Sequence, residues 1–268
     1  MEEYFSGRKL YGDDFSAEQI KQWYDAEAEG YAGLGAGQHN KYQYHYHTLN
    51  QVHGFSKIKE ASLGNALGFG AAWGDEFLPI ADRITNLTLI EPSDIMVSER
   101  IGHLTPHYVK PAVDGTLPFG DDQFDLVTCF GTLHHIPNVS HVTRELIRVL
   151  KPGGHLLLRE PVVSMGDWRV KRRGLTANER GIPVSHFDAI FAAAPVEVVS
   201  KEYCFTAPSV FVRITRNILK KPIYAYRWYV LFDKAISAML KHNFHYHPHN
   251  HLQKITPGSI FYVLKRNA

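Results

Sequence analysis

From Ala61 onward the chain alternates short apolar runs with segments of helical period, and this alternation constrains the fold more than any other feature. Ala61–Leu67 is an apolar run that meets a glycine-rich turn. Ala72–Ala81 reads as a helix that Pro79 kinks or ends early, because proline lacks the N–H a helix interior needs. Asn86–Glu91 reads as a strand, and Pro92-Ser93 opens the next helix. His107–Ala112 is a weak strand and Phe124–Phe130 a strong one. Val139, Val142, Leu146, Val149 and Leu150 form one helical face, which stops at Lys151-Pro-Gly-Gly154; His155–Arg159 is the next strand. Strands alternating with helices of this size imply a parallel sheet covered on both faces.

The two ends of the chain depart from that pattern. Glu197–Phe205 and Ser259–Lys265 read as strands, and an antiparallel pair closing the sheet would unite them. Residues 206–258, between them, hold eight Lys or Arg and one acid, Asp233, and read as a basic, largely helical insert. At the other end, Ser16-Ala-Glu-Gln19 is a capping box followed by Ile20, Trp23, Tyr24 and Ala28 at helical spacing, so an amphipathic helix leads the chain. Tyr42–His47 fits neither helix nor strand.

A length of 268 residues allows one or two domains with a sizeable core. Net charge is +2, which argues against a dedicated nucleic-acid partner. Cys129 and Cys204 sit in apolar settings and read as buried thiols. The N-terminus has no apolar signal core, and Arg227, Asp233 and Lys234 interrupt Ile223–Leu240, a poor membrane span. A soluble cytoplasmic enzyme is the expectation.

Three elements point to a nucleoside cofactor. Gly68-Phe69-Gly70-Ala-Ala72-Trp-Gly74 follows a strand and lets backbone approach a ligand closely. Glu91 closes the next strand, 21 residues beyond Gly70, where a carboxylate can accept both hydroxyls of a ribose. An acid near Asp114, in Asp114-Gly-Thr-Leu-Pro-Phe119, can accept an adenine amine.

LTLIEPSD, DGTLPFGDDQFDLVTCFGTLHHIPN and RELIRVLKPGGHLLLREP together resemble the class I S-adenosylmethionine-dependent methyltransferases, in detail over roughly residues 61–161. The subgroup is the small-molecule, type 11-like one that includes sugar O-methyltransferases of bacterial polysaccharide and natural-product pathways. The resemblance implies an α/β, Rossmann-like, seven-stranded, mostly parallel sheet. The expected organisation is a single α/β methyltransferase domain (56–268) with an N-terminal helical lid (1–55) and the helical insert (206–258) before the last strand. It implies S-adenosylmethionine as cofactor and S-adenosylhomocysteine as product. Gly68, Phe69 and Gly70 would line the methionine part; Glu91, with Pro92 and Ser93, the ribose; Asp114, Gly115, Thr116 and Leu117 the adenine; Phe130 and Gly131 the methyl-donor side. Two positions depart from the family pattern: Ala66 stands where an acid is usual and Ala72 where a third glycine is common. The amino-group contact must then come from elsewhere, Asn65 or the N-terminal aromatic segment.

Methyl transfer to oxygen is an in-line displacement that needs an aligned acceptor and usually a base. His134 and His135 follow the fourth strand, where the donor methyl should point, and imidazole titrates near neutrality. In the sugar O-methyltransferases that this chain resembles, the first His of LHH pairs with an acid at the end of the next strand. That implies His134 as base and Glu160 as its partner, with His135 a further contact; which histidine is the base stays open.

On the acceptor side, Trp168 is a candidate to stack on a sugar, and Arg169, Lys171, Arg172, Arg173 and Arg180 are candidates for phosphate. Tyr31, Tyr44, His45 and His47 would belong to the lid. The insert either caps the acceptor pocket or meets an anionic membrane surface. His242, His245, His247, His249 and His251 crowd into ten residues, yet no Cys or carboxylate lies among them, and methyl transfer needs no metal; none is expected. The expected function is O-methylation of a sugar hydroxyl on a glycan, nucleotide-sugar or glycosylated small molecule. The alternatives are a methyltransferase for another small molecule at N, C or phenolic O, and an inactive cofactor-binding scaffold. Sequence does not assign an oligomeric state.

Overall fold

Strand β4, Phe124–Phe130, lies inside a seven-stranded sheet and is buried on both faces, which its apolar FDLVTCF run requires. Parallel β1 (Gly64–Phe69) flanks it on one side and β5 (Leu150–Pro161) on the other. β2 (Ile84–Ile90) and β3 (His107–Val109) extend the sheet beyond β1. β7 (Ser259–Arg266) inserts antiparallel between β5 and β6 (Val196–Cys204), giving the order β3-β2-β1-β4-β5-β7-β6. The order reverses between β1 and β4, so the loops leaving those two strands diverge and open a crevice at their C-terminal ends. This computed structural model describes residues 1–34 (28–34 at the backbone alone), 43–170, 172, 175–176, 178–206, 219 and 221–268.

Helices cover both faces. α4 (Val139–Arg148) and α5 (Val184–Ala192) bury Val139, Val142, Leu146, Phe187 and Phe191 against one face. On the other, α3 (His47–His53), a 3-10 run over Asp75–Arg83 and α6 (Arg227–Leu240) pack with Phe55, Leu126, Leu157 and Phe261. α1 (Glu2–Phe5) and α2 (Ala17–Leu34) precede them. The capping box of α2 is formed: Ser16 N donates to Gln19 Oε1 at 3.0 Å and Gln19 N to Ser16 Oγ at 3.4 Å. Both cysteines are free and buried.

Several local expectations are corrected. The helix expected over Ala72–Ala81 begins only at Asp75 and is 3-10, because Ala72 and Gly74 take left-handed φ of 47° and 75° and Pro79 withholds a donor. No helix follows Pro92-Ser93; the segment is a series of bends. Lys151–Gly154 belongs to β5 rather than to a separate turn. The unplaced Tyr42–His47 leads into α3, with Tyr42 outside the described residues, as are 207–218 of the insert. α6 buries Tyr229, Val230, Asp233 and Ser237 and turns Trp228, Leu231 and Met239 outward. Among the described residues no helix is long and apolar enough to cross a membrane.

Candidate active site

The turn after β4, Leu133–His135, is held from below by one carboxylate. Glu160, fully buried near the end of β5, accepts N–H groups from Thr132 (2.8 Å), Leu133 (2.8 Å) and His134 (3.3 Å). It also meets His134 Nδ1 at 2.9 Å. Burial pulls the Glu160 carboxyl upward, but the hydrogen bond and charge of His134 and these N–H donors outweigh it, and the net shift is downward. Glu160 is therefore ionised and accepts only. His134 must place its proton on Nδ1, leaving the Nε2 lone pair as the basic position, 3.9 Å from Glu179 Oε1. Burial, with His135 beside it, lowers the His134 pKa despite the opposing pull of Glu160. The ring is thus neutral at pH 7.

His135 lies 4.0 Å from His134, ring centroid to centroid, and has its own partners: its Nδ1 is 3.1 Å from both Glu27 Oε2 and Thr176 Oγ1. Glu27 is a buried carboxylate on the apolar face of α2. The sequence reading missed it, although an acid four residues beyond Trp23 on that stripe was a signal. α2 is locked on the turn by Trp23 Nε1, which donates to His135 O at 2.7 Å.

The cofactor side assembles at the C-terminal ends of β1, β2 and β4. Gly70 has φ of 65° and packs on Thr132, whose Oγ1 donates to Phe69 O at 3.2 Å, so the loops after β1 and β4 touch. A side chain at Gly68 would strike Ala71, Leu89 and Phe77. Glu91 is buried; Oε2 accepts Ala72 N at 3.0 Å and Oε1 accepts Ser93 N at 2.9 Å. Each oxygen keeps a lone pair for a diol. Pro92 is exposed, its carbonyl taken by Lys110 Nζ at 2.9 Å. Asp114 Oδ1 accepts Thr116 N at 2.9 Å, and Leu117 N donates to Glu145 Oε2 at 2.9 Å. Gly115 (φ 80°) leaves no room for a Cβ against Val142. A cavity of about 360 Å³, lined by Ala17, Ile20, Ala112, Val113 and Asp114, lies against this turn. Gly131 (φ 72°) leaves the flank of His134 open: a Cβ there would lie 3.8 Å from His134 Cε1. A buried carboxylate, glycine backbone and an open flank beside the imidazole fit S-adenosylmethionine. Phe130 does not join them; its ring packs on Phe55 and Phe261 on the other face.

Other expected contacts lie elsewhere. Asn65 is at the opposite end of β1, where its Nδ2 donates to Gln123 O at 3.2 Å, too far to meet the cofactor amino group. Trp168 is 1% exposed and packs on Phe5 and Tyr11, so it offers no face to a sugar. Arg180 is 2% exposed and spends its guanidinium on the carbonyls of Tyr11, His134, Ile136 and Pro137; it ties the N-terminal segment to the Leu133–His135 turn and is not free for phosphate. Arg169 is closed on Asp167, and Arg172 on the carbonyls of Met165 and Glu179. Tyr44 accepts from Asn50 Nδ2 at 2.7 Å, beside His47. Lys171, Arg173 and the Tyr31 side chain lie outside the described residues. His247 packs on Phe5 and Trp168, and no metal-holding group of three His, Cys, Asp or Glu occurs among the described residues.

Residues 67–158 match the family described as "Methyltransferase domain". Over these residues, about a third of its length, the chain carries a methyltransferase domain, set in the seven-stranded Rossmann-like sheet. It is similar to the uncharacterized methyltransferase YcgJ of Bacillus subtilis, with 34% identity over 84 residues, 29% of this chain and 33% of that protein. Over 116 residues it is 34% identical to the ubiquinone/menaquinone biosynthesis C-methyltransferase UbiE of Geotalea daltonii, covering 39% and 48% of the two chains. By sequence, then, the chain spans a third to about half of these curated relatives. Among solved structures the methyltransferase fold is shared with the [4+2]-cyclase SpnF (TM-score 0.55, 16% identity, 95% of this chain and 98% of that one).

Proposed function

We propose that this chain transfers the methyl group of S-adenosylmethionine to a hydroxyl oxygen of a sugar, releasing S-adenosylhomocysteine, with His134 as general base. The observation that supports the base is the Glu160–His134 contact at 2.9 Å, which fixes the tautomer and leaves Nε2 unprotonated. When bound, the cofactor supplies a methyl on a sulfonium. Glu91 would hold its ribose, the Gly68–Gly70 backbone its methionine part and the Asp114 turn its adenine. His134 Nε2 takes the hydroxyl proton as the oxygen–methyl bond forms. The imidazolium that results is stabilised by the buried Glu160 carboxylate.

Glu91→Ala tests the cofactor reading by calorimetric titration with S-adenosylmethionine. The affinity is expected to fall by about a hundredfold, since a charge-assisted contact to the diol and the anchor of Ala72 are both lost. Unchanged affinity would remove Glu91 from the site. A carbon acceptor is the second reading, favoured by the match to UbiE. Carbon-13-labelled product separates the two, because an O-methyl and a C-methyl resonate far apart.

The outward face of α6 supports an anionic membrane surface as partner. Trp228 is 57% and Met239 72% exposed, and Lys221, Arg227 and Lys241, before the helix, at its start and just after it, are exposed as well. Binding to vesicles rich in phosphatidylglycerol is expected to exceed binding to phosphatidylcholine vesicles by about a hundredfold at low salt. It should collapse in high salt and in a Trp228→Ser, Met239→Ser variant. Equal flotation with both lipids would discard this partner.

A further inference from the structure

β5 ends in two successive charged residues, and strand geometry sends them to opposite faces of the sheet. Glu160 serves the catalytic turn. Arg159 goes the other way and is 7% exposed. Its guanidinium carbon lies 4.6 Å from the ring centre of Tyr46, 5.2 Å from Phe130 and 5.9 Å from Phe205. Among the described residues the guanidinium makes one hydrogen bond, from Nη1 to Asn50 Oδ1 at 2.7 Å. Among the described residues Nε and Nη2 have no partner, and neither belongs to the sealed, unsatisfied atoms, so both reach accessible space. The contrast with Arg180, whose nitrogens are all spent on carbonyls, is direct.

A buried guanidinium without an ion-pair partner is costly, and among the described residues no carboxylate pairs with Arg159, although the nearby charge of Glu76 favours its protonated form. Glu202 is held by His53, Lys57 and Lys234. Asp233 accepts Phe205 N at 2.8 Å and Thr206 N at 3.0 Å. Glu76 accepts Thr128 Oγ1 at 2.5 Å, and burial pushes its carboxyl up to about 7, so its charge is partial at neutrality. The cage is also built at a cost. Phe205 has φ of 61°, a conformation disfavoured for a bulky residue, held by the two bonds to Asp233. Arg159 is the register partner of Phe130, and Gly131 N donates to Arg159 O at 2.7 Å. The guanidinium and the His134 turn therefore start from the same stretch of sheet edge.

We propose that Arg159, caged by Tyr46, Phe130 and Phe205, binds an anionic group of the acceptor, so that the methylated hydroxyl belongs to a molecule bearing a carboxylate or a phosphate. This rests on the proposed methyl transfer for its meaning, but the anion site is tested without it. Full-length protein saturated with S-adenosylhomocysteine is titrated with acetate and with inorganic phosphate at ionic strength matched by chloride. One of the two is expected to bind at least about tenfold more weakly to Arg159→Gln, the loss of a charge-assisted bond; which one tells carboxylate from phosphate. Arg159→Lys, which keeps the charge but loses the fork, is expected to fall between and serves if the glutamine variant does not fold. Equal anion affinity in wild type and variants, or no anion binding by wild type, overturns the proposal. In a separate arm, methyl transfer to glucuronate or glucose 1-phosphate is compared with glucose. Equal transfer to the neutral sugar overturns the acceptor class. Transfer to none, with anion binding intact, counts against the sugar reading instead.

Discussion

Glu160→Gln is expected to lower turnover by about a thousandfold while S-adenosylmethionine affinity stays within a few-fold. The glutamine oxygen can still accept the N–H groups of Thr132 and Leu133, both 2.8 Å from Glu160 Oε1, so the turn persists. The amide nitrogen then faces His134 Nδ1, which in the wild type lies 2.9 Å from Oε2. A donor there forces the imidazole to accept at Nδ1 and carry its proton on Nε2. The proposed base is then present in the wrong tautomer, a defect known to be severe in histidine-based catalysis. The pH profile gives a second readout. Because burial and His135 lower the His134 pKa below 6.5, the acid limb of kcat/KM should lie below that value, with the rate flat at neutrality. Near-wild-type turnover in Glu160→Gln would reduce Glu160 to an anchor for backbone N–H groups, and an acid limb above pH 7 would assign the base elsewhere.

What the sequence made legible was whatever repeats locally. FDLVTCF reads as a strong strand, and Val139, Val142 and Leu146 as one side of a helix; both stand where expected. His134 and Glu160 come together because His134 follows β4 and Glu160 lies near the end of the neighbouring β5, so topology brings them to one edge. The failures are contacts between distant segments. Trp168 looked like a surface ring in a basic loop, but Phe5 and Tyr11, from the far end of the chain, cover it. Arg159 reads in the sequence only as the last residue of the His155–Arg159 strand, although a charge ending an apolar strand signals a buried partner. The helix expected after Pro92 failed locally, since residues 92–100 carry no apolar stripe to bury.

Arg180→Leu is expected to lower the thermal midpoint by roughly 10 °C, from a loss of about 3–5 kcal/mol. Four carbonyls, those of Tyr11, His134, Ile136 and Pro137, lose their donor together, and leucine offers nothing in return. The stack with Trp23, 4.8 Å from the guanidinium carbon, goes as well. Burial already draws the Arg180 pKa down to about 10, which shows how strongly this site resists a charge. That cost is borne because one guanidinium joins Tyr11 to the turn that carries His134. The damage should therefore be regional. Hydrogen exchange is expected to speed up through residues 10–27 and 133–137 and to stay slow in β4 and β5. Turnover should fall with it, since the turn that aims His134 loses its upper support. A phosphate-binding role would leave the opposite signature, a raised KM with stability intact. A midpoint shifted by less than about 2 °C would favour that role and return Arg180 to the acceptor site.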